Sequence, residues 1–277
     1  MTLPTPSTFR FSLDAGVATI TLDNQRTLNS LTFESYAELR DFLPLLSSEE
    51  SVRAVVVTGA GKAFCSGGDR NAIIAELVSY DTPKLLAFTR MTGALIRNFR
   101  RVRRPVIAAV NGVAVGAGAV IALSCDVRIV AASARFGFVF PQVGLCGADM
   151  GAAYLLPRVV GLGRAHEILY SGELIGSEEA YRIGLANRVV PDGTALDAAL
   201  EFAKKLAEGP AFAHAMTKQM LEDEHGMSLD DAIEAEAQAQ AICMMHGDFK
   251  EAYDSIANKR TPRFAGAPAP KAKGESR

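Results

Sequence analysis

The 277-residue chain has no tryptophan, only four histidines and four cysteines, and no excess of charge of either sign. Each shortage excludes something. Cys65, Cys125, Cys146 and Cys243 show no CxxC or zinc-finger spacing, which predicts a reducing, cytoplasmic setting and no structural metal. His166, His214, His225 and His246 all fall late in the chain and no GxSxG elbow is present, so a Ser-His-Asp or Cys-His catalytic set is hard to assemble. With 29 basic against 31 acidic residues the net charge is −2, and nothing global points to nucleic acid or an acidic membrane. One local cluster stands out, Arg97, Arg100, Arg101, Arg103 and Arg104; the favoured reading is a solvated helix end whose cations complement the dipole rather than a phosphate site. The N-terminus, MTLPTPSTFRFSLD, lacks the charged then apolar pattern of a signal peptide.

What the chain does have is apolar content, at 49% enough for a large core, and glycine in clusters. Residues 105–125 carry no charge, but Asn111-Gly112 and the glycines that follow break a helix midway, so a buried strand and a buried helix explain the run better than a membrane span. Within it, VIAAVNGVAVGAGAV at 106–120 reads as strand, glycine turn, helix. Amides in the first turn of a helix have no intrahelical partner and attract negative charge. The glycines therefore either expose such amides or merely let a turn pass beneath a packed helix, and this stretch alone does not choose between the two.

A second turn of similar kind, GAGKAFCSGGD at 59–69, follows the strand Ala54 to Thr58. It is not a P-loop: the earlier glycine position is Val56, and Lys62 is followed by alanine. Nor is Gly116-x-Gly118 a dinucleotide fingerprint, since the third glycine position is Ile121 and the next strand ends in Ala131-Ala132-Ser133 without an acid. Two glycine-rich turns in one α/β core can each aim a backbone amide at one carbonyl oxygen, stabilising an enolate or a tetrahedral oxyanion.

Periodicity predicts a hairpin of Phe9–Asp14 with Val17–Leu22, then a helix capped by Thr32 with Phe33, Tyr36, Leu39, Leu43 and Leu46 on one face. Helices are expected at about 70–79 and 84–102, strands at 126–131 and 134–140, and a third glycine loop at 144–151. The division predicted is an α/β core over 1–208, a helical oligomerisation region over 209–262 and a disordered tail over 263–277.

Several motifs resemble the enoyl-CoA hydratase/isomerase (crotonase) superfamily: AFCSGGD at 63–69, NGVAVGAGAVIALSCDVRI at 111–129, ARFGF at 134–138 and YLLPRVVGLGRAHEILYSGELI at 154–175. ANRVVP at 186–191 and KRTPRF at 259–264 are similar to that family too, so the likeness spans about residues 8–264. The resemblance implies a spiral of repeated β-β-α units, a C-terminal helical trimerisation region giving a homotrimer or dimer of trimers, acyl-CoA thioester substrates and no cofactor beyond the CoA of the substrate. It assigns the oxyanion-hole amides to Gly68 and Ala117. By position it places the CoA contacts at Arg26, Leu28, Ala63, Ser66, Asp69 and Lys259.

The chain departs from the family where hydratases carry two glutamates. Those positions are Val120 and Phe140, and neither moves a proton. The acid in the right neighbourhood is Asp149, where dienoyl-CoA isomerases and aromatic acyl-CoA dehalogenases of the family place a catalytic aspartate, in a loop one residue longer here. Asp149 is either that proton carrier, the reading favoured, or the N-cap of a helix beginning near Met150. Isomerisation of an enoyl thioester, hydration through Asp149 and a water, and acyl-CoA binding without chemistry all remain open at this point.

Overall fold

The computed structural model describes residues 3–268. Its strands, in chain order, are β1 (Phe9–Asp14), β2 (Val17–Leu22), β3 (Ala54–Gly59), β4 (Ala63–Cys65), β5 (Val106–Val110), β6 (Val113–Val115), β7 (Val127–Ala131), β8 (Arg135–Gly137), β9 (Leu174–Gly176) and β10 (Arg188–Val190).

Ala15 and Gly16 both take positive φ, +46° and +78°, the geometry of a two-residue hairpin turn, and they set β1 against β2 with Asp14 opposite Val17. From β2 onward every neighbour in the larger sheet is parallel, in the order β1-β2-β3-β5-β7-β10. Parallel strands are covered on both faces, which is why β3 (AVVVTG) and β5 (VIAAV) are buried at every residue and read as continuous apolar runs. On one face lie Ala199, Ala203 and Ala207 of the helix Ala195–Glu208, small residues that let it sit close to Val56, Ile107 and Ile129. The other face carries the main core, including Leu39, Leu43 and Leu46 from the helix Phe33–Ser48, Leu95 and Phe99 from Thr82–Arg101, and Val120 and Ile121 from Ala117–Ser124.

Three successive units repeat one pattern. β3, β5 and β7 each deliver the chain to a turn and then to a three-residue strand, β4, β6 and β8, and these short strands pair in parallel in a second sheet closed by antiparallel β9. The turns nest so tightly that a Cβ on Gly112 would lie 2.1 Å from the Lys62 carbonyl oxygen. Asn111 fastens the first unit to the second by accepting from Gly59 N–H at 3.2 Å and donating to Gly61 O at 3.0 Å. This is the expected α/β architecture of repeated β-β-α units, with a second sheet that the sequence reading did not resolve.

Gly118 shows how closely the units approach. A Cβ there would lie 2.1 Å from the Cys65 carbonyl oxygen and 2.8 Å from Cys65 Cβ. Gly118→Ala must push the helix Ala117–Ser124 off β4. Overpacking of this kind costs about 1–3 kcal/mol, so thermal unfolding should show a fall in Tm of several degrees, together with lowered turnover.

Past Gly209-Pro210 the chain is helical, over Ala211–Asp223, Leu229–Met245 and Gly247–Ala257. These helices leave Leu221, Leu229, Ile233, Met245, Phe249 and Ile256 exposed. Of the tail expected from residue 263, Ala265 is held at both ends of its peptide unit, its N–H by Asp248 Oδ1 at 2.8 Å and its carbonyl by Arg53 Nη1 at 2.7 Å. Residues 269–277 lie outside the described residues. No described helix is long and apolar enough to cross a membrane.

Candidate active site

Two loops meet where the short strands end. After β4, Leu31 N–H donates to Gly67 O and Asp69 N–H donates to Leu31 O, each at 2.8 Å, so the peptides on either side of Gly68 are pinned while the Gly68 N–H is left without an acceptor. After β6, Gly116 at φ +54°, ψ −121° turns the chain into the helix Ala117–Ser124 and donates its own N–H to Gly137 O at 2.8 Å. Ala117 is the first residue of that helix, and its N–H has no intrahelical partner. The two loops touch: a Cβ on Gly67 would lie 3.5 Å from Ala117 N, and one on Gly116 would lie 3.8 Å from Gly67 Cα. Gly67 itself sits at φ +96° with Val115 O only 2.9 Å from a would-be Cβ, so only glycine fits there. The result is two unpaired amides on touching loops, Gly68 half-buried and Ala117 buried.

The two positions where the family's hydratases carry glutamates hold no proton donor. Val120 is fully buried and Phe140 is 7% exposed, both within the apolar core. Asp149 is the acid that remains. Burial raises its carboxyl above the ordinary value of 3.8, and one hydrogen bond from Met150 N–H to Oδ1, at 2.9 Å, offsets this in part. It caps no helix: Met150 and Gly151 intervene at φ +49° and +86°, and the helix Ala152–Val160 starts from Gly151 without any side-chain cap. Its carboxylate accepts from one backbone N–H and has no basic partner among the described residues.

Tyr36 ties the acid to the loops. Its hydroxyl lies 3.6 Å from where a Gly68 Cβ would be, and the phenol is pushed well above its ordinary value by burial first, then by the Cys65 thiol and the Asp149 carboxyl. Sequence periodicity placed Tyr36 on the inner face of its helix but gave no sign that this face looks onto the glycine loops. Cys65 is sealed, its thiol pushed up to about 12 by burial, and takes no part in chemistry as a thiolate.

Of the six positions expected to meet CoA, Arg26, Leu28, Ser66 and Asp69 lie on neighbouring exposed or half-buried segments, whereas Ala63 just beneath them is 1% exposed. Ser66 N–H donates to Leu28 O at 3.0 Å and Ser66 Oγ to Thr27 O at 2.8 Å. Ser30 Oγ joins Asp69 Oδ2 at 2.7 Å, and Asn29 Nδ2 donates to Ala63 O at 2.8 Å. Arg26 lies exposed in the adjoining turn Gln25–Thr27, and Leu28, at φ +55°, is 46% exposed. Asp69 accepts from Asn71 N–H and Ala72 N–H, and hydrogen bonds led by the one from Ala72 hold its carboxyl below the usual range. It is a committed cap rather than a proton carrier. Lys259, exposed after the helix Gly247–Ala257, is joined to the other five by no described contact. Sequence reasoning missed Asn29, which is 1% exposed and braces both Ala60 O and Ala63 O; the Leu-Asn-Ser run after a polar turn was its only trace.

In the arginine cluster Arg97, Arg101 and Arg103 are exposed as expected of a solvated helix end, while Arg100 and Arg104 are engaged. Arg100 joins Glu222 and donates to Ser124 O, while Arg104 donates to Val52 O at 2.5 Å. Lys218 meets Asp126 at 2.8 Å in the same region, so the clefts beside the helices Thr82–Arg101 and Ala211–Asp223 are lined in part by paired charges, and one of them reaches Met150 and Gly151 next to Asp149. Among the described residues no group of three His, Cys, Asp or Glu is placed to hold a metal ion.

Comparison with known proteins places the chain in a family. The family model described as enoyl-CoA hydratase/isomerase matches residues 12–267. The chain is 34% identical over 254 residues to the 1,2-epoxyphenylacetyl-CoA isomerase of Escherichia coli K12, covering 92% of this chain and 97% of that one. It is also 34% identical over 246 residues to a short-chain-enoyl-CoA hydratase of Clostridium acetobutylicum, covering 88% and 92% of the two chains. Among solved structures, a candidate enoyl-CoA hydratase from Streptomyces coelicolor A3(2) superposes with a TM-score of 0.92 at 49% identity, covering 95% of this chain and 96% of that one. The chain belongs to the enoyl-CoA hydratase/isomerase family.

Proposed function

We propose that this protein isomerises an enoyl-CoA thioester, with the Gly68 and Ala117 amides holding the thioester oxygen and Asp149 carrying the proton. As a family member it is an acyl-CoA enzyme of the hydratase/isomerase type. The observation that carries the finer reading is the pairing of two unpaired amides on touching loops with one partly buried carboxyl of raised pKa. The Asp149 carboxylate takes a proton from C2 of a 3-enoyl thioester. The electron pair moves onto the thioester oxygen, where the two N–H groups stabilise the dienolate, and the proton returns to C4 to leave the 2-enoyl product. Two donors matter because each such group in comparable sites is worth about 10²–10³ in rate. Val120 and Phe140 argue against the usual two-carboxylate hydration, which needs one group to activate water and another to protonate C2.

In this reading the nucleotide end of CoA lies along Arg26, Leu28, Ala63, Ser66 and Asp69, with Lys259 supplying positive charge, and no cofactor is needed beyond the CoA of the substrate. Arg26→Ala is expected to raise KM several-fold with kcat nearly unchanged, since it removes binding shared by ground and transition states. We further propose a homotrimer or dimer of trimers assembled through the helical region 209–262, working in the cytoplasm; the four cysteines are free.

The test is incubation with 2-enoyl-, 3-enoyl- and aromatic acyl-CoA thioesters, following double-bond position and mass. Migration of the double bond without added mass supports isomerisation. Gain of one water supports a hydratase built on Asp149 alone. Tight binding without either change marks a CoA-thioester binding protein.

A further inference from the structure

Tyr36 is a buried polar group that the mechanism above leaves unused. It is 2% exposed, yet its hydroxyl makes no hydrogen bond to any described residue. The sealed and unpaired side-chain atoms among the described residues are His214 Nδ1 and Glu224 Oε1; the Tyr36 hydroxyl is unpaired but not sealed, so it opens onto space. That space is beside Gly68, whose would-be Cβ lies 3.6 Å from the hydroxyl. The ring is held by Phe88, edge-on at 5.9 Å, and Phe88 is braced in turn by Phe33 at 5.4 Å. The hydroxyl is thus fixed in position by packing rather than by a partner of its own. A donor fixed by apolar packing and open to a space beside the glycine loops is placed to meet whatever enters that space. Burial and the nearby Asp149 keep the phenol protonated, hence a donor.

We propose that the Tyr36 hydroxyl donates a hydrogen bond to an oxygen of the bound acyl portion, beside the Gly68 amide. The acceptor is either the thioester oxygen itself or a second oxygen on the carbons next to it. This rests on the site reading above, because it takes the acyl group to lie between Gly68 and Asp149.

The test compares wild type with Tyr36→Phe on two matched thioesters. Butyryl-CoA offers only the thioester oxygen; 3-hydroxybutyryl-CoA adds an oxygen at C3. The readouts are exchange of the C2 hydrogens in D2O, Kd for each thioester, and Tm of the free protein. Removing a hydroxyl that has no protein partner should leave Tm unchanged or higher. A fall of about 10–100-fold in exchange with both thioesters assigns the bond to the thioester oxygen. Roughly ten-fold weaker binding of the hydroxylated thioester alone assigns it to the second oxygen. Unchanged exchange and binding with both thioesters overturns the proposal, as does activity lost only in step with a Tm lowered by several degrees. If wild type itself neither binds the thioesters nor exchanges their hydrogens, the site reading fails and this inference with it; a wild type that works and a variant that matches it defeat Tyr36 alone.

Discussion

Asp149→Asn is expected to lower turnover by about 10²–10⁴-fold while leaving the Kd for CoA thioesters within a few-fold of wild type. Asparagine keeps an oxygen for Met150 N–H, so the turn at Met150 and Gly151 survives and only the proton-carrying function is removed. The pH dependence is the sharper part. Asp149 acts as a base only when ionised, and burial raises its pKa, so turnover should rise with pH through a value above the ordinary 3.8. Stability moves the opposite way. The folded state holds this proton more tightly than the unfolded chain does, so the contribution is complete below about 3.8 and is lost as pH rises through the higher folded value. The asparagine side chain does not ionise, and the variant should therefore be at least as stable as wild type at neutral pH, with the difference vanishing in acid. Thermal unfolding of both proteins across pH measures this directly. An asparagine variant that is less stable at neutral pH would return Asp149 to a structural role.

Ala117→Pro should cost at least about 10²–10³-fold in turnover. Proline is suited to the first position of a helix, where no backbone N–H is needed for the fold, and Ala117 occupies that position in the helix Ala117–Ser124. The substitution removes the amide and puts a ring carbon where its hydrogen pointed. Ala117→Gly is the control, because it keeps the amide and alters only the side chain; turnover should stay within a few-fold at a stability cost of about 1 kcal/mol. If proline and glycine behave alike at this position, the backbone donor is not what matters there. Circular dichroism of the proline variant separates loss of the donor from loss of the helix.

The glycine loops were readable in advance because the chemistry proposed for them needs backbone rather than side chains, and small residues in clusters after apolar runs are visible in any sequence. The first helix was readable for the same kind of reason: Thr32 caps it as its residue type suggests. The second sheet was not readable. RFG fell within the strand expected at 134–140, but AFC, VAV and LIG are three residues each, too short to show alternation, and they exist as strands because neighbouring repeats align them. Asp149 could not be resolved between cap and base, since the two differ by the backbone at Met150, where a non-glycine residue takes positive φ. Tyr36 looked like an ordinary core position because helical spacing reports which face is inward but not what that face meets. The arginine cluster divides: Arg97, Arg101 and Arg103 are exposed as a solvated helix end would be, whereas Arg100 and Arg104 bind carbonyl oxygens of other elements.

The measurement that bears most directly on this mechanism is exchange of the C2 hydrogens of butyryl-CoA in D2O, followed by mass spectrometry for wild type, Asp149→Asn and Ala117→Pro. A saturated thioester has no double bond to move and no site for water, so exchange isolates proton removal next to a stabilised thioester oxygen. Exchange is expected in wild type and its loss in both variants, with the asparagine variant still binding the thioester. Exchange that persists undiminished in Asp149→Asn would contradict the mechanism, because some other group would then be taking the proton.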